Sequence, residues 1–225
     1  MTLRVFYGGT FDPVHCGHLA VACAVRDGLA AQVNLIPAAD PPHKDATHAD
    51  ASARARMLDL ALAGEPGLKV DRRELKREGP SYTVHTLREL RLELGPDVPI
   101  VWMLGGDSLL QLHTWHRWQE LFDFAHVLAV ARPGSHLDAA AIGAQSPRVH
   151  AEVAPRWRDA LELSQAPAGG FAVFELALQR PESSTELRRR IAAGEPWQDW
   201  VPAAVAEYIR RHGLYAVRDV TPAPL

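Results

Sequence analysis

The chain has 225 residues, with 24 basic against 27 acidic side chains and a formal net charge of −3. That length suffices to bury about 70–75% of the unfolded surface around one substantial core, while the near-balance of charge excludes a general nucleic-acid or membrane-attracted surface, so any anion site must come from local placement. No apolar run approaches the roughly 18 residues a membrane helix needs, the first residues lack the basic lead and apolar run of a signal peptide, and a cytoplasmic location is the expectation.

Residues 3–7, Leu-Arg-Val-Phe-Tyr, predict a strand, and the alanine- and valine-rich stretch 19–30 predicts a helix. Cys16 and Cys23 are seven apart and expected on the same helix, two turns apart on one face and about 10 Å along the axis, too far for a disulfide. They are expected to be small core-facing residues in a reducing compartment. Residues 33–36 predict a second strand closed by Pro37. Residues 38–50, with Pro41-Pro42-His43-Lys44, predict a loop. Ser52 is placed to cap a helix running to Ala63, with Met57, Leu60 and Ala61 inward and Gly64 as its stop. Residues 68–70 predict a short strand before a charged piece, 71–78. Gly79-Pro80 breaks the chain, Ser81 can cap the next helix, and Val84, Leu87, Leu90 and Leu94 carry its apolar spacing.

The apolar run 99–104 is of the kind buried in parallel sheets. A tryptophan-rich helical region is predicted over 115–124 and a strand over 126–131. Residues 135–170 give no clear pattern. A last strand is expected at 171–176, then helices over 184–193 and from Pro202 to before Gly213. Strand and helix alternate without an internal repeat, which predicts an α/β chain: one domain over 1–225, a doubly wound parallel sheet with helices on both faces, and a C-terminal helical part over about 183–215. Ligands of such sheets sit beyond the carboxyl ends of the strands. The loops there are 8–18, 37–44, 105–108, 132–134 and 180–185, and they hold the chemically suggestive residues.

Gly8-Gly9-Thr10-Phe11-Asp12-Pro13-Val14-His15-Cys16-Gly17-His18 joins a strand to a helix start. Backbone N–H groups and the helix dipole there suit a polyphosphate, and His15 and His18 reach the same place. Two other readings exist: Asp12-Pro13 as a simple turn, and His-x-x-His as half of a metal site, for which no partner of usual spacing follows. Lys44 is either a solvated loop lysine or a mobile charge for a phosphate. Ser183 and Glu186 fit a capping box that needs no function. The box nevertheless makes a second helix N-terminus, where Ser184, Thr185 and Arg188 could close over a triphosphate. Tryptophan near the strand ends, Trp115 among the candidates, could stack on a planar ring, with Thr83 or Thr86 bonding its substituent.

Together these residues resemble the nucleotidylyltransferase superfamily marked by a T/H-x-G-H motif, here His15-Cys16-Gly17-His18. Within it they are similar to the bacterial nicotinate-nucleotide adenylyltransferases. The blocks carrying the resemblance are Gly8 to His15, Pro41 to Lys44, Pro80 to Thr83, Gly105 to Leu109, Thr114-Trp115, Arg132 to Gly134 and Ser183 to Arg188. The resemblance implies a Rossmann-like fold, adenylyl transfer from ATP to nicotinate mononucleotide with Mg²⁺, and NAD biosynthesis. It implies His15, His18, Lys44 and Arg188 as catalytic residues. Thr10, His15, His18, Ser184, Thr185 and Arg188 would face the ATP phosphates, Gly8, Gly9 and Phe11 would also bind ATP, and Gly105, Asp107 and Ser108 would border the adenosine. Lys44, Tyr82, Thr83, Thr86, Trp115 and Arg132 would serve the acceptor, and no protein side chain would hold the metal. Glu182, where an apolar residue commonly stands, and Leu187, in place of isoleucine, depart from the pattern. A sibling nucleotidylyltransferase with another phosphorylated acceptor, a non-catalytic nucleotide sensor and a zinc hydrolase are the competing readings.

The attacking group would be a phosphate monoester, already largely dianionic at pH 7 with its second pKa near about 6. No general base is then required, in keeping with the lack of an obvious catalytic carboxylate pair. Positioning and electrostatics are expected to dominate.

Overall fold

Alternating strands and helices pair as the sequence predicts in the computed structural model, which describes residues 3–39, 47–131, 134–177 and 180–216. It opens with strand β1 (Arg4–Gly9), helix α1 (Cys16–Gly28) and β2 (Gln32–Pro37). Next are α2 (Ala51–Leu62), β3 (Leu68–Val70), α3 (Thr83–Leu94) and β4 (Ile100–Gly105). Short helices α4 (Gly106–Leu110) and α5 (Leu121–Phe124) precede β5 (His126–Ala131), α6 (Ala139–Gln145) and α7 (Pro147–Val153). β6 (Phe171–Glu175), α8 (Ser184–Ala193) and α9 (Ala203–Arg211) follow.

Among the described residues six strands form one sheet in the order β3-β2-β1-β4-β5-β6, and every pairing is parallel. Val5 of β1 lies opposite Val33 on one side and Val101 on the other. Because successive side chains of a strand point to opposite faces, Val5, Val101 and Met103 join one core layer with Val25, Met57, Leu187 and Ile209. Phe6, Ile100, Trp102 and Leu104 join the other, with Leu87, Leu90 and Phe171. This two-sided burial explains why 99–104 reads as an unbroken apolar run. The strand order reverses between β1 and β4, and there a doubly wound sheet leaves a crevice at its carboxyl edge. This is the Rossmann-like arrangement.

Several local expectations are corrected. α1 begins three residues before 19, because imidazoles cap it. α2 is capped by Asp50, whose side chain accepts from Ala53 N at 2.7 Å, rather than by Ser52. Ser81 is buried and does not cap α3; Tyr82 occupies that position without a side-chain bond. The region 115–124 is broken into short turns and α5, since Arg117 turns left-handed at φ 51°. Residues 135–170 contain α6 and α7, whose sparse apolar positions Ile142, Val149 and Val153 fill the second layer. Cys16 and Cys23 do share α1 and are both free, but are only partly buried. Burial raises both thiols above their ordinary range, which leaves them weak nucleophiles. No described helix is long and apolar enough to cross a membrane.

Candidate active site

A cleft of about 1310 Å³ opens at the reversal point and is lined by the ends of β1 and β4 and the loops around them. It exceeds the ~300–1,000 Å³ usual for one small molecule, so two nucleotide-sized ligands fit the space. Gly8, Gly9, Thr10 and Phe11 form one wall. The two glycines serve close packing. A Cβ on Gly8 would lie 2.2 Å from Trp102 Cζ2, and one on Gly9 2.9 Å from Phe11 Cζ. The turn is completed by Phe11 itself, at φ 50°, a conformation that bulky residues rarely adopt.

His15 and His18 close the start of α1 on themselves. His18 N donates to His15 Nδ1 and His15 N to His18 Nδ1, each at 3.3 Å, a reciprocal capping box made of two imidazoles. The rings stack with centroids 3.7 Å apart. An Nδ1 that accepts a backbone N–H carries no proton, so a neutral ring keeps its proton on Nε2 and is a hydrogen-bond donor there. A doubly protonated ring would forfeit the cap. The helix start expected to be open is therefore partly closed, and the pair offers directed N–H donors in place of formal charge. The two are not equivalent: His18 lines the cleft, while His15 is buried behind it.

From the opposite side α8 docks onto the same loop. Ser183 Oγ accepts from Glu186 N at 3.2 Å, which is one half of the expected capping box. The Glu186 carboxylate instead binds Arg189 and Arg190. Ser184 Oγ donates to Pro13 O at 3.0 Å, and Arg188 Nη1 donates to Asp12 O at 2.6 Å. Ser184, Thr185 and Arg188 thereby line the cleft across from Thr10 and His18. Glu182, the residue departing from the family pattern, is buried and lies 3.5 Å from Arg180 without displacing this docking.

Gly105, Asp107 and Ser108 line the cleft at the end of β4, and Tyr82, Thr83 and Trp115 line it beside the start of α3. Thr86 does not. It is fully buried, its hydroxyl donating to Glu74 Oε1 at 2.7 Å and accepting from Arg77 Nη1 at 3.0 Å. The expectation that this hydroxyl meets a ligand is corrected by that packing. Burial holds the Glu74 carboxyl above the usual carboxylate range, against the lowering effect of the Thr86 bond. Lys44 and Arg132 lie outside the described residues.

Three residues to which the sequence assigned no functional role matter here. Asp12, read only as part of a turn, is buried and accepts from His48 N at 2.8 Å, Ala49 N at 3.2 Å and Tyr215 Oη at 2.8 Å. Arg54 is wholly buried and donates to the carbonyls of Thr10, Ala39 and Ala49, at 2.6, 3.0 and 3.2 Å. Its signal was present in the sequence: an arginine in the apolar stripe it shares with Met57, Leu58 and Ala61. His116 stacks on Tyr82 at 4.4 Å and lines the cleft. Burial, then the nearby Arg77 and His116, lowers the pKa of neighbouring His85. No group of three His, Cys, Asp or Glu suited to a metal occurs among the described residues.

The profile of the cytidylyltransferase-like family matches residues 6–190. A protein of Stenotrophomonas maltophilia named "Probable nicotinate-nucleotide adenylyltransferase" is 49% identical over 99% of this chain and 100% of its own length. One of the same name from Marinobacter nauticus is 43% identical over 97% and 99%. Among solved structures, Plasmodium falciparum nicotinic acid mononucleotide adenylyltransferase complexed with NaAD superposes with a TM-score of 0.72. It covers 96% of this chain and 98% of that one, at 15% identity, a likeness of fold.

Proposed function

Since the chain belongs to the nicotinate-nucleotide adenylyltransferases of the cytidylyltransferase-like family, we infer that it transfers the adenylyl group of ATP to nicotinate mononucleotide, forming deamido-NAD and pyrophosphate in NAD biosynthesis. The observation that carries this reading is the cleft at the sheet's reversal point, faced by α1 and α8 from opposite sides. The acceptor phosphate oxygen attacks the α-phosphorus in line, the bond from that phosphorus to the departing pyrophosphate oxygen breaks, and no covalent enzyme intermediate forms. The attacking group is already dianionic, so no protein base takes a proton.

Thr10, His18, Ser184, Thr185 and Arg188 receive the ATP phosphates, with Gly8, Gly9 and Phe11 shaping the wall. His15 acts through His18: its ring fixes the orientation of the neighbouring imidazole. Preorganised donors of this kind stabilise charge as it develops on the α-phosphate and leaving group. Mg²⁺ would enter with the nucleotide and offset charge on its phosphates; Asp12, whose carboxylate already accepts three protein donors, would not be its ligand. Gly105, Asp107 and Ser108 border the adenosine.

The acceptor ring stacks near Trp115 and Tyr82, its carboxylate facing the start of α3 at Thr83, which lacks a side-chain cap and favours an anion through the helix dipole. Lys44 and Arg132 complete the acceptor side. Thr86 contributes by fixing the first turn of α3 to Glu74 and Arg77.

The test is a pyrophosphate-release screen of purified protein with ATP and a series of phosphorylated acceptors. Release with nicotinate mononucleotide, faster than with the nicotinamide form, is expected. Preference for the amide, or release only with a non-pyridine acceptor, would overturn the assignment.

A further inference from the structure

His48 sits immediately beyond the segment that carries Lys44, and its ring lines the cleft. Its side chain is 60% exposed, while the carboxylate behind it, Asp12, is 5% exposed. The same Asp12 oxygen holds this residue twice, accepting from His48 N at 2.8 Å and lying 3.6 Å from His48 Nδ1. Main chain and ring are thus both oriented by one buried anion. Of the two ring nitrogens, Nδ1 is the one beside Asp12, which leaves Nε2 for a ligand. A carboxylate beside Nδ1 orients the ring, and an imidazole carrying protons on both nitrogens can donate from each. This is the reverse of the arrangement at His18, where Nδ1 is an acceptor.

The other end of Asp12 orients a second cation. Its carbonyl accepts from Arg188 Nη1 at 2.6 Å. Among the described residues, Arg54, whose guanidinium is buried beneath the loop, and Tyr215 also meet this node. Burial and the Asp12 carboxylate push the Tyr215 phenol well above its usual range, so it stays a neutral donor. One residue therefore fixes an imidazole from the 47–49 segment and a guanidinium from α8 at the same end of the cleft.

We propose that His48 is a further phosphate ligand of this site, a hydrogen-bond donor and cation aimed by Asp12 beside Arg188 at a phosphate of one of the two substrates. The proposal rests on the adenylyl-transfer reading above. Because the ring is exposed, its replacement leaves the fold intact, and the bond lost is charge-assisted.

The experiment compares His48→Ala, His48→Gln and His48→Lys with the unaltered protein. It measures KM for ATP, KM for nicotinate mononucleotide and inhibition by inorganic pyrophosphate. Alanine and glutamine should weaken at least one of these by about tenfold, with kcat changed less, and lysine should recover most of the loss. A shift in ATP and pyrophosphate together assigns the leaving-group side, and a shift in the acceptor alone assigns the acceptor phosphate; either supports the proposal. Unchanged constants in all three measurements, or a loss that lysine fails to recover, would overturn it. An unaltered protein that releases no pyrophosphate would instead sink the adenylyl-transfer reading, which separates the two failures.

Discussion

Replacing Arg54 by methionine keeps the length and apolar stem of the side chain but removes a guanidinium that solvent does not reach. Three carbonyls lose a donor at once: Thr10 in the β1–α1 loop, Ala39 before the segment bearing Lys44, and Ala49 after it. Hydrogen bonds to a charged group are worth about 1.5–3 kcal/mol each, and a buried orphan carbonyl costs about 1–3 kcal/mol. Thr10 lines the cleft, so water can replace part of what is lost there. The expected destabilisation is therefore about 3–5 kcal/mol, that of two to three such bonds partly offset by water. For a chain of 225 residues that lowers Tm by about 10 °C. Urea unfolding followed by the fluorescence of the six tryptophans gives the midpoint. Steady-state kinetics should show a raised KM for the acceptor, because Ala39 and Ala49 are the two roots of the intervening segment. Arg54→Lys should fall between, since a point ammonium cannot span carbonyls from three segments as the planar fork does. An Arg54→Met protein with the midpoint and both KM values of the unaltered chain would refute this reasoning.

His18→Ala should lower kcat by about 10²–10³ and cost about 1 kcal/mol of stability through the lost cap. His18→Asn keeps an acceptor for His15 N and should restore the stability but not the rate; full turnover in either variant would remove His18 from the mechanism. Thr86→Val leaves Glu74 and Arg77 without their bridging hydroxyl and should cost about 1–3 kcal/mol, with the preference for nicotinate over nicotinamide mononucleotide unchanged. Loss of that preference at full stability would return Thr86 to the ligand. Stability should also fall on acidification through His126, which accepts from Gly170 N at 2.8 Å and pairs its Nε2 with Ala166 O at 2.8 Å. Burial lowers its pKa, so the unfolded chain binds the proton first. The contribution is present above the unfolded value of about 6.5 and is lost as pH falls toward the folded value. A pH series of melts on the unaltered protein and His126→Gln measures it, and an identical decline in both would exclude His126 as the cause.

Much of this protein is legible without coordinates, because periodicity and punctuation are local. The run 99–104 announces a strand buried on both faces, alternation of strand and helix implies a parallel sheet, and the loops after the strands hold Thr10, His18, Asp107 and Thr185. Ser184 at a helix start was readable from the serine–glutamate spacing alone. The chain's own sequence thus determined the class of fold and which loops line the cleft.

Tertiary structure alone decided what each of those side chains can do. Asp12 looked like a turn residue; its carboxylate is instead joined to Tyr215, 203 positions away, and to His48, 36 away. Arg54 reaches Thr10 across 44 positions. Thr86 was within reach of a ligand by helical spacing, yet its hydroxyl bonds Glu74, which approaches from the preceding turn. His15 and His18 are equivalent in sequence, yet in the fold one is buried and the other lines the cleft. Local patterns record which face of an element is apolar. Whether a polar group on that element meets solvent, a ligand or another chain segment depends on what the fold places opposite it.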